Sequence, residues 1–375
     1  MIDSAVLNQS GLLPAGDPVD PRSSYRGCLL GGAVGDALGA GVEFLSAAEI
    51  RRRFGPGGLR DYVTVYGRRG AITDDTQMTL FTAEGLIRGL MRQRAGHDTD
   101  YTDVTGWAYQ RWLLTQGDHN LHGLSPLEPA PGWLWGIRAL HSPRAPGNTC
   151  LSALRHAREA GLAAVNDSKG CGGVMRMAPA GLFVDTAEDA FDLGCELSAL
   201  THGHPSGWLA GGAFAALIRL LLDGETLEDA LDPVSDMLAQ RFESEEVLAA
   251  LQFAADLAIS EELPGEAIRQ LGQGWVAEEA LAIAVYCALV APDFREGVLM
   301  AVNHDGDSDS TGAIAGNLLG LILGEGAIPE SWLAELELRE VITQVANDLF
   351  DCANWDLQQA DHAVQQALQE RYPAW

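Results

Sequence analysis

Lysine is almost missing from this 375-residue chain: of 24 basic residues, Lys169 is the only one that is not arginine. It is followed by Gly170 rather than Ser or Thr, so a lysine-dependent phosphate loop is excluded. Positive charge is scarce altogether. Fifty-two acids against 24 bases leave a net charge of −28. The chain therefore has no basic face to neutralise nucleic-acid phosphates or to dock on anionic lipid. Cysteine is sparse, six residues with no CxxC pair, which removes a zinc ribbon and a dithiol redox motif. The N-terminus lacks a basic segment followed by an apolar run, and no stretch approaches the roughly 18 to 20 apolar residues of a membrane span. A cytoplasmic, reduced, soluble protein is expected. GxGxxG, HExxH and GxSxG are absent, so dinucleotide binding, zincin chemistry and the hydrolase elbow have no support.

Apolar residues are plentiful at 47%, enough for a core. From Tyr25 onward apolar residues recur every three or four positions, as in Val247, Leu251, Ala254 and Ala258. The pattern predicts an all-α chain, with helices over 25–40, 76–94, 100–115, 149–160, 186–201, 205–222, 226–240, 244–259, 276–290, 311–324, 331–349 and 354–371. Alternation is confined to 61–66, at most one short strand. Residues 1–22, with Pro14, Gly16, Pro18 and Pro21, read as an irregular N-terminal arm. With no clean linker after it, 23–375 is expected to form a single large domain. Two long irregular stretches, 41–75 and 115–148, are candidate functional loops.

Glycine is the abundant residue, 43 in all, and it is patterned. Gly27, Gly31, Gly35 and Gly39 are four apart, as are Gly312, Gly316, Gly320 and Gly324, and Gly203, Gly207 and Gly211. That spacing lines one helix face. Each interior glycine costs about 1 kcal/mol of helix stability relative to alanine. The compensation expected is close approach of helix backbones, hence central, densely surrounded helices.

Two acidic clusters precede long apolar helices. One is Thr73-Asp74-Asp75-Thr76; the other runs Asp305-Gly306-Asp307-Ser308-Asp309-Ser310-Thr311. Capping accounts for one or two such residues at each helix start, but not for five carboxylates. Adjacent anions repel unless a cation lies among them, and the nearest basic residues in sequence are Arg68 and Arg69. Oxygen donors with no cysteine in the clusters favour Mg²⁺, Mn²⁺ or Ca²⁺ over zinc. The calcium EF-hand is excluded: its sixth position would be Ser310 instead of Gly and its twelfth Gly316 instead of Glu. Asp36 and Glu43 bracket a Gly-rich turn from which a carboxylate could reach such a site. Ser168-Lys169-Gly170-Cys171-Gly172-Gly173 is small and rich in free backbone N–H groups, suited to phosphate oxygens.

These segments together resemble the ADP-ribosylglycohydrolase family, which includes dinitrogenase-reductase-activating glycohydrolase. The resemblance is carried, in order, by Arg26–Gly39, Ile72–Met78, Gly170–Arg176, Thr201-His202, Gly272–Glu279 and Gly306–Ser310. It implies an all-α domain with two Mg²⁺ or Mn²⁺ ions in a central binuclear cleft. Thr73, Asp74, Asp75, Asp307, Asp309 and Ser310 match the family's metal ligands, with serine where many members have threonine. Glu43 matches a mobile acidic residue near the metals. Ser168, Lys169, Gly170, Cys171 and Gly172 match the diphosphate loop, and His202 and Trp275 match positions lining the adenosine. The implied activity is metal-dependent removal of ADP-ribose from modified protein side chains, foremost the N-glycosidic bond of ADP-ribosyl-arginine, with Asp74, Asp75 or Glu43 as general base. A second implied role is immunity: direct binding of an ADP-ribosyltransferase toxin through the N-terminal arm, beside hydrolysis.

Overall fold

The glycine ridges mark the centre of the molecule. Gly27, Gly31 and Gly35 lie on α1 (Pro21–Gly39), and Gly312, Gly316 and Gly320 on α14 (Ser308–Leu323). A methyl group added at Gly27 would overlap the carbonyl oxygen of Gly320, one at Gly31 that of Gly316, and one at Gly35 that of Gly312. The two helices thus run antiparallel with their backbones touching. The same register sets Gly39, at the end of α1, against Ser308 and Asp309, at the start of α14. The turn after α1, carrying Glu43, is thereby delivered to the acidic N-terminus of α14.

This close approach has a testable consequence. Gly35→Ala should lower stability by about 1–3 kcal/mol, because its methyl can be fitted only by separating two packed backbones. Gly265, exposed in the first turn of α11 (Pro264–Leu271), meets nothing within 4 Å. There the same substitution should raise stability by about 0.4–1 kcal/mol through the unfolded chain. Thermal melts of the two variants check the opposite signs.

The computed structural model describes residues 19–356 and 361–374. Around the central pair stand α2 (Ala47–Phe54), α3 (Asp74–Arg94), α4 (Tyr101–Thr115), α5 (Asn148–His156), α6 (Ala178–Phe183) and α7 (Ala187–Ala199). They are followed by α8 (Pro205–Leu222), α9 (Leu227–Ala239), α10 (Glu245–Ala258), α11, α12 (Ala277–Val290) and α13 (Phe294–Val302). After α14 come α15 (Glu330–Glu335), α16 (Arg339–Cys352) and α17 (His362–Arg371). α12 is buried nearly all round, packed on α10, α13 and α14. α8 is long and apolar enough, by length and composition, to cross a membrane, an exception to the expectation that no run reaches that size. Its apolar residues are instead covered by α6, α7, α9 and α12.

The all-α expectation holds, with local differences. No strand forms at 61–66: among the described residues Val65 and Arg68 make only an isolated antiparallel bridge, closing a turn. α2, α6, α11 and α13 were not expected; at six to nine residues they are too short to show a helical period. The single helix expected at 331–349 is two, α15 and α16. Leu338 between them is left-handed at φ 58°, while Glu337 turns inward: its amide donates to Gly70 O at 2.9 Å and its carboxylate accepts from Ile72 N at 3.2 Å. Gly203 lies before α8 rather than on it, so the third ridge is Gly207 and Gly211 alone. Of the helix expected at 354–371, only His362–Arg371 is helical (α17) among the described residues; 354–356 form a turn and an irregular segment, and 357–360 lie outside the described residues. Of the arm 1–22, residues 1–18 lie outside the described residues, and Pro21 and Arg22 already belong to α1.

Candidate active site

The first acidic cluster is fixed by a carboxylate from another helix. Asp36 of α1 is fully buried, and both its oxygens accept from the Thr73 amide at 3.0 Å. It also accepts from the Thr76 amide at 3.1 Å and from the Thr76 hydroxyl. Asp36 therefore caps α3 from outside and is committed to backbone groups. Burial lifts its carboxyl to about 6 despite those donors. Thr73, the N-cap of α3, accepts from the Asp75 amide at 3.3 Å. Asp74 accepts from the Gly147 amide at 3.2 Å. Asp75 is buried, and its Oδ1 has no hydrogen-bond partner.

The second cluster opens α14. Asp307 is the N-cap, accepting from the Ser310 amide at 3.2 Å, and Asp309 accepts from the same amide at 3.0 Å. The Cys171 thiol donates to Asp307 Oδ2 at 2.7 Å. Asp305 is turned away: it accepts from the Ala47 amide at 2.7 Å, at the start of α2.

The register of α1 on α14 then adds Glu43. Carboxylate oxygens of Glu43, Asp307 and Asp309 lie within 4.8 Å of one another, all three buried. Asp75 and Asp74 join the same field. Burial, then the like charges of Asp307 and Asp74, pushes Glu43 up to about 8. Burial, with Asp36 and Asp307, pushes Asp74 up to about 8. Asp75 and Asp309 are driven well up by burial and by each other's neighbourhood, Asp74 acting on the first and Asp75 and Glu43 on the second. The nearby cations are engaged elsewhere. Arg68 and Arg144 pair with Glu337, and Arg69 with Asp61 and Glu335. Five carboxylates thus converge on two helix N-termini, whose dipoles favour anions. With an orphaned buried oxygen and oxygen donors throughout, the donor set fits hard divalent cations.

The glycine-rich segment lies alongside. It enters a single 3-10 turn at Cys171–Gly173 and is pinned by Cys171 N to Trp275 O (3.2 Å) and Ala277 N to Lys169 O (2.8 Å). Ser168 Oγ is 2.9 Å from Thr149 Oγ1. The Lys169 ammonium is held between Glu246 (2.7 Å) and Glu278, so its charge is taken up away from the carboxylate cluster. His202 is buried against Gly170, Gly172 and Gly173, with Nδ1 at 2.8 Å from Thr201 Oγ1. Burial, then Arg176, pushes its imidazole down to about 3, so it is neutral. Trp275 is part-exposed.

Some neighbours escaped the sequence reading. Phe44 stacks on Trp275, and Tyr66, left-handed at φ 50°, lays its ring over the Arg144 guanidinium at 4.8 Å. Burial, then Glu43 and Asp309, lifts the Tyr66 phenol to about 12. The clue available for Phe44 was its place directly after Glu43; for Tyr66 there was none.

A family model described as ADP-ribosylglycohydrolase matches residues 17–358. The chain is 26% identical to the ADP-ribosyl-[dinitrogen reductase] glycohydrolase of Rhodospirillum rubrum over 85% of this chain and 93% of that one. It is 25% identical to the ADP-ribosylarginine hydrolase Tri1 of Pseudomonas putida, over 90% of this chain and 80% of the relative. A solved structure titled ADP-ribosylglycohydrolase-related protein complex superposes with TM-score 0.64 at 27% identity, covering 89% of this chain and 99% of its own.

Proposed function

This chain belongs to the ADP-ribosylglycohydrolase family, and on that premise we propose that its acidic cleft holds two divalent cations, Mg²⁺ or Mn²⁺, and hydrolyses ADP-ribosyl-arginine. It is an ADP-ribosyl hydrolase acting on ADP-ribosylated protein; the metals and the arginine acceptor are the proposal. One observation carries it: Glu43, Asp307 and Asp309 converge beside Asp74 and Asp75, and among the described residues no basic side chain is paired to them.

Thr73, Asp74, Asp75, Asp307, Asp309 and Ser310 would hold the ions. When bound, such cations supply Lewis acidity and a template for the vicinal ribose hydroxyls and a water. The residues do the rest. Within 168–172 the Ser168, Gly170 and Cys171 amides are bonded to Asn166, Ser168 and Trp275, so the amides of Lys169 and Gly172 would take the diphosphate. Neutral His202 and Trp275 line the adenosine. Water attacks C1″ as the C–N bond breaks through an oxocarbenium-like state, and the departing guanidine ends with the one proton that the water gives up. The water's proton goes to a carboxylate. We assign that role to Glu43: Asp74 is occupied by the Gly147 amide, and Asp75 sits deeper, against Ser310. A cationic acceptor suits an anionic cleft, and a relative named for ADP-ribosylarginine supports the choice.

Incubation with mono-ADP-ribosylated arginine and serine substrates tests it, with released ADP-ribose as the readout. Release from the arginine substrate, lost in EDTA and restored by Mn²⁺ or Mg²⁺, is expected. Release indifferent to EDTA contradicts the metals, and release from the serine substrate alone contradicts the acceptor.

A further inference from the structure

Three parts of the site are fastened to one short segment, 272–276. The Gln273 carbonyl accepts from the Asp307 amide at 2.8 Å, at the start of α14. The Trp275 carbonyl accepts from the Cys171 amide at 3.2 Å, in the glycine-rich segment. The Trp275 indole carries the ring of Phe44, centroids 5.9 Å apart and planes at 21°, next to Glu43. The Glu279 carboxylate accepts from the amides of Gln273 (2.9 Å) and Gly274 (3.1 Å), so the segment is itself anchored.

The Phe44–Trp275 stack is not a folding contact. Phe44 is 72% exposed and Trp275 40% exposed, so little apolar area leaves water. The turn bearing Glu43 is fixed on its inner side, where Gly39 abuts Asp309 and the Glu43 amide donates to Gly39 O at 2.9 Å. Val42 is buried in the core and Gly41 abuts Val63, while on the exposed side the Phe44 ring meets Trp275. An aromatic pair of this kind shifts an equilibrium by about two- to tenfold. That is enough to favour one placement of a turn and too little to lock it.

We propose that Phe44 is a positioning residue, which by stacking on Trp275 sets the Glu43 carboxylate against Asp307 and Asp309 and links that placement to occupancy of the 168–172 loop. The proposal rests on the hydrolase reading above, with Glu43 acting at the reacting centre. Phe44 touches no reacting atom; it acts through Glu43. Ligand on the loop is felt through the Cys171–Trp275 bond, then through the ring stack, at the turn.

The test is a double-mutant cycle on ADP-ribosyl-arginine hydrolysis, with Phe44→Ala, Glu43→Ala and both together, and Phe44→Trp as the rescue. Phe44→Ala should lower kcat about two- to tenfold with KM nearly unchanged. Phe44→Trp should restore it, and Phe44→Ala should cost nothing further in the Glu43→Ala background. Phe44→Leu gives the same comparison should the alanine variant fold poorly. Additive losses, or a Phe44→Ala kcat equal to wild type, would overturn the proposal, the first because Phe44 would then contact the substrate or a partner itself. If the wild-type chain releases no ADP-ribose, the hydrolase reading fails separately. Free ADP-ribose as ligand then decides the proposal through amide hydrogen exchange in residues 41–45, a readout that contact of the adenosine with Trp275 does not itself move. A ligand-induced change lost in Phe44→Ala supports it, and a change retained overturns it.

Discussion

Asp309→Ala and Asp75→Ala each lose ADP-ribose release by on the order of 10²–10³-fold or more, while the metal-free proteins melt higher than wild type. The two effects have one cause. Each carboxylate is buried among others, with no cationic partner among the described residues, and is pushed well above the usual carboxylate range. Without metal, such a group is a cost to folding; removing it relieves about 1–3 kcal/mol of uncompensated burial. With metal, it is a ligand whose loss removes charge stabilisation from the transition state. Activity assays paired with thermal melts, with and without Mn²⁺, check both. Wild type should gain stability from Mn²⁺, by about 2.7 kcal/mol at one hundred times the dissociation constant, and the variants should not. Lower melting of the metal-free variants would show that these aspartates hold the fold rather than the site.

The metal-free protein becomes less stable as pH rises from about 4 to 8, and divalent metal flattens that slope. The ordinary values of Glu43 and Asp74 are 4.5 and 3.8; in the folded chain burial lifts both to about 8. Asp36 moves the same way, to about 6. Between the unfolded and folded values the native state binds more protons than the unfolded state, so stability falls with rising pH. Below about 4 both states are protonated and the penalty is absent. Across the window it grows to on the order of several kcal/mol. The surplus of 28 negative charges adds self-repulsion of the same sign in both forms, so the difference between the two melting curves isolates the carboxylate cluster. Melting temperatures against pH in EDTA and in Mn²⁺ provide it; parallel curves would contradict the account.

Much of this was legible from spacing. Glycines at four-residue intervals could be read as close-packed helices, and the pairing of Gly27 with Gly320 and Gly35 with Gly312 is what that reading implies for an antiparallel pair. Both acidic clusters could be read because five carboxylates at two helix starts exceed what capping uses. The partnerships between them could not. Asp36 bonds across 37 residues to Thr73, and the Cys171 thiol across 136 to Asp307; no local pattern records either. Lys169 illustrates the same limit. Its place in the glycine-rich segment suggested a contact to phosphate, but Glu246 and Glu278, distant in sequence, take its ammonium. The alternation at 61–66 misled because a strand needs a neighbour, and an all-helical surround offers none. The break at Leu338 depends on Glu337 reaching Ile72 and Arg144, contacts made only once the chain has folded.

Anomalous diffraction from crystals soaked in Mn²⁺ addresses the central claim most directly, that stretches 232 residues apart (75 to 307) close on shared cations. Two peaks lodged between Thr73–Asp75 and Asp307–Ser310 are the result this account requires. Peaks elsewhere, or none in that cleft at saturating Mn²⁺, would contradict it.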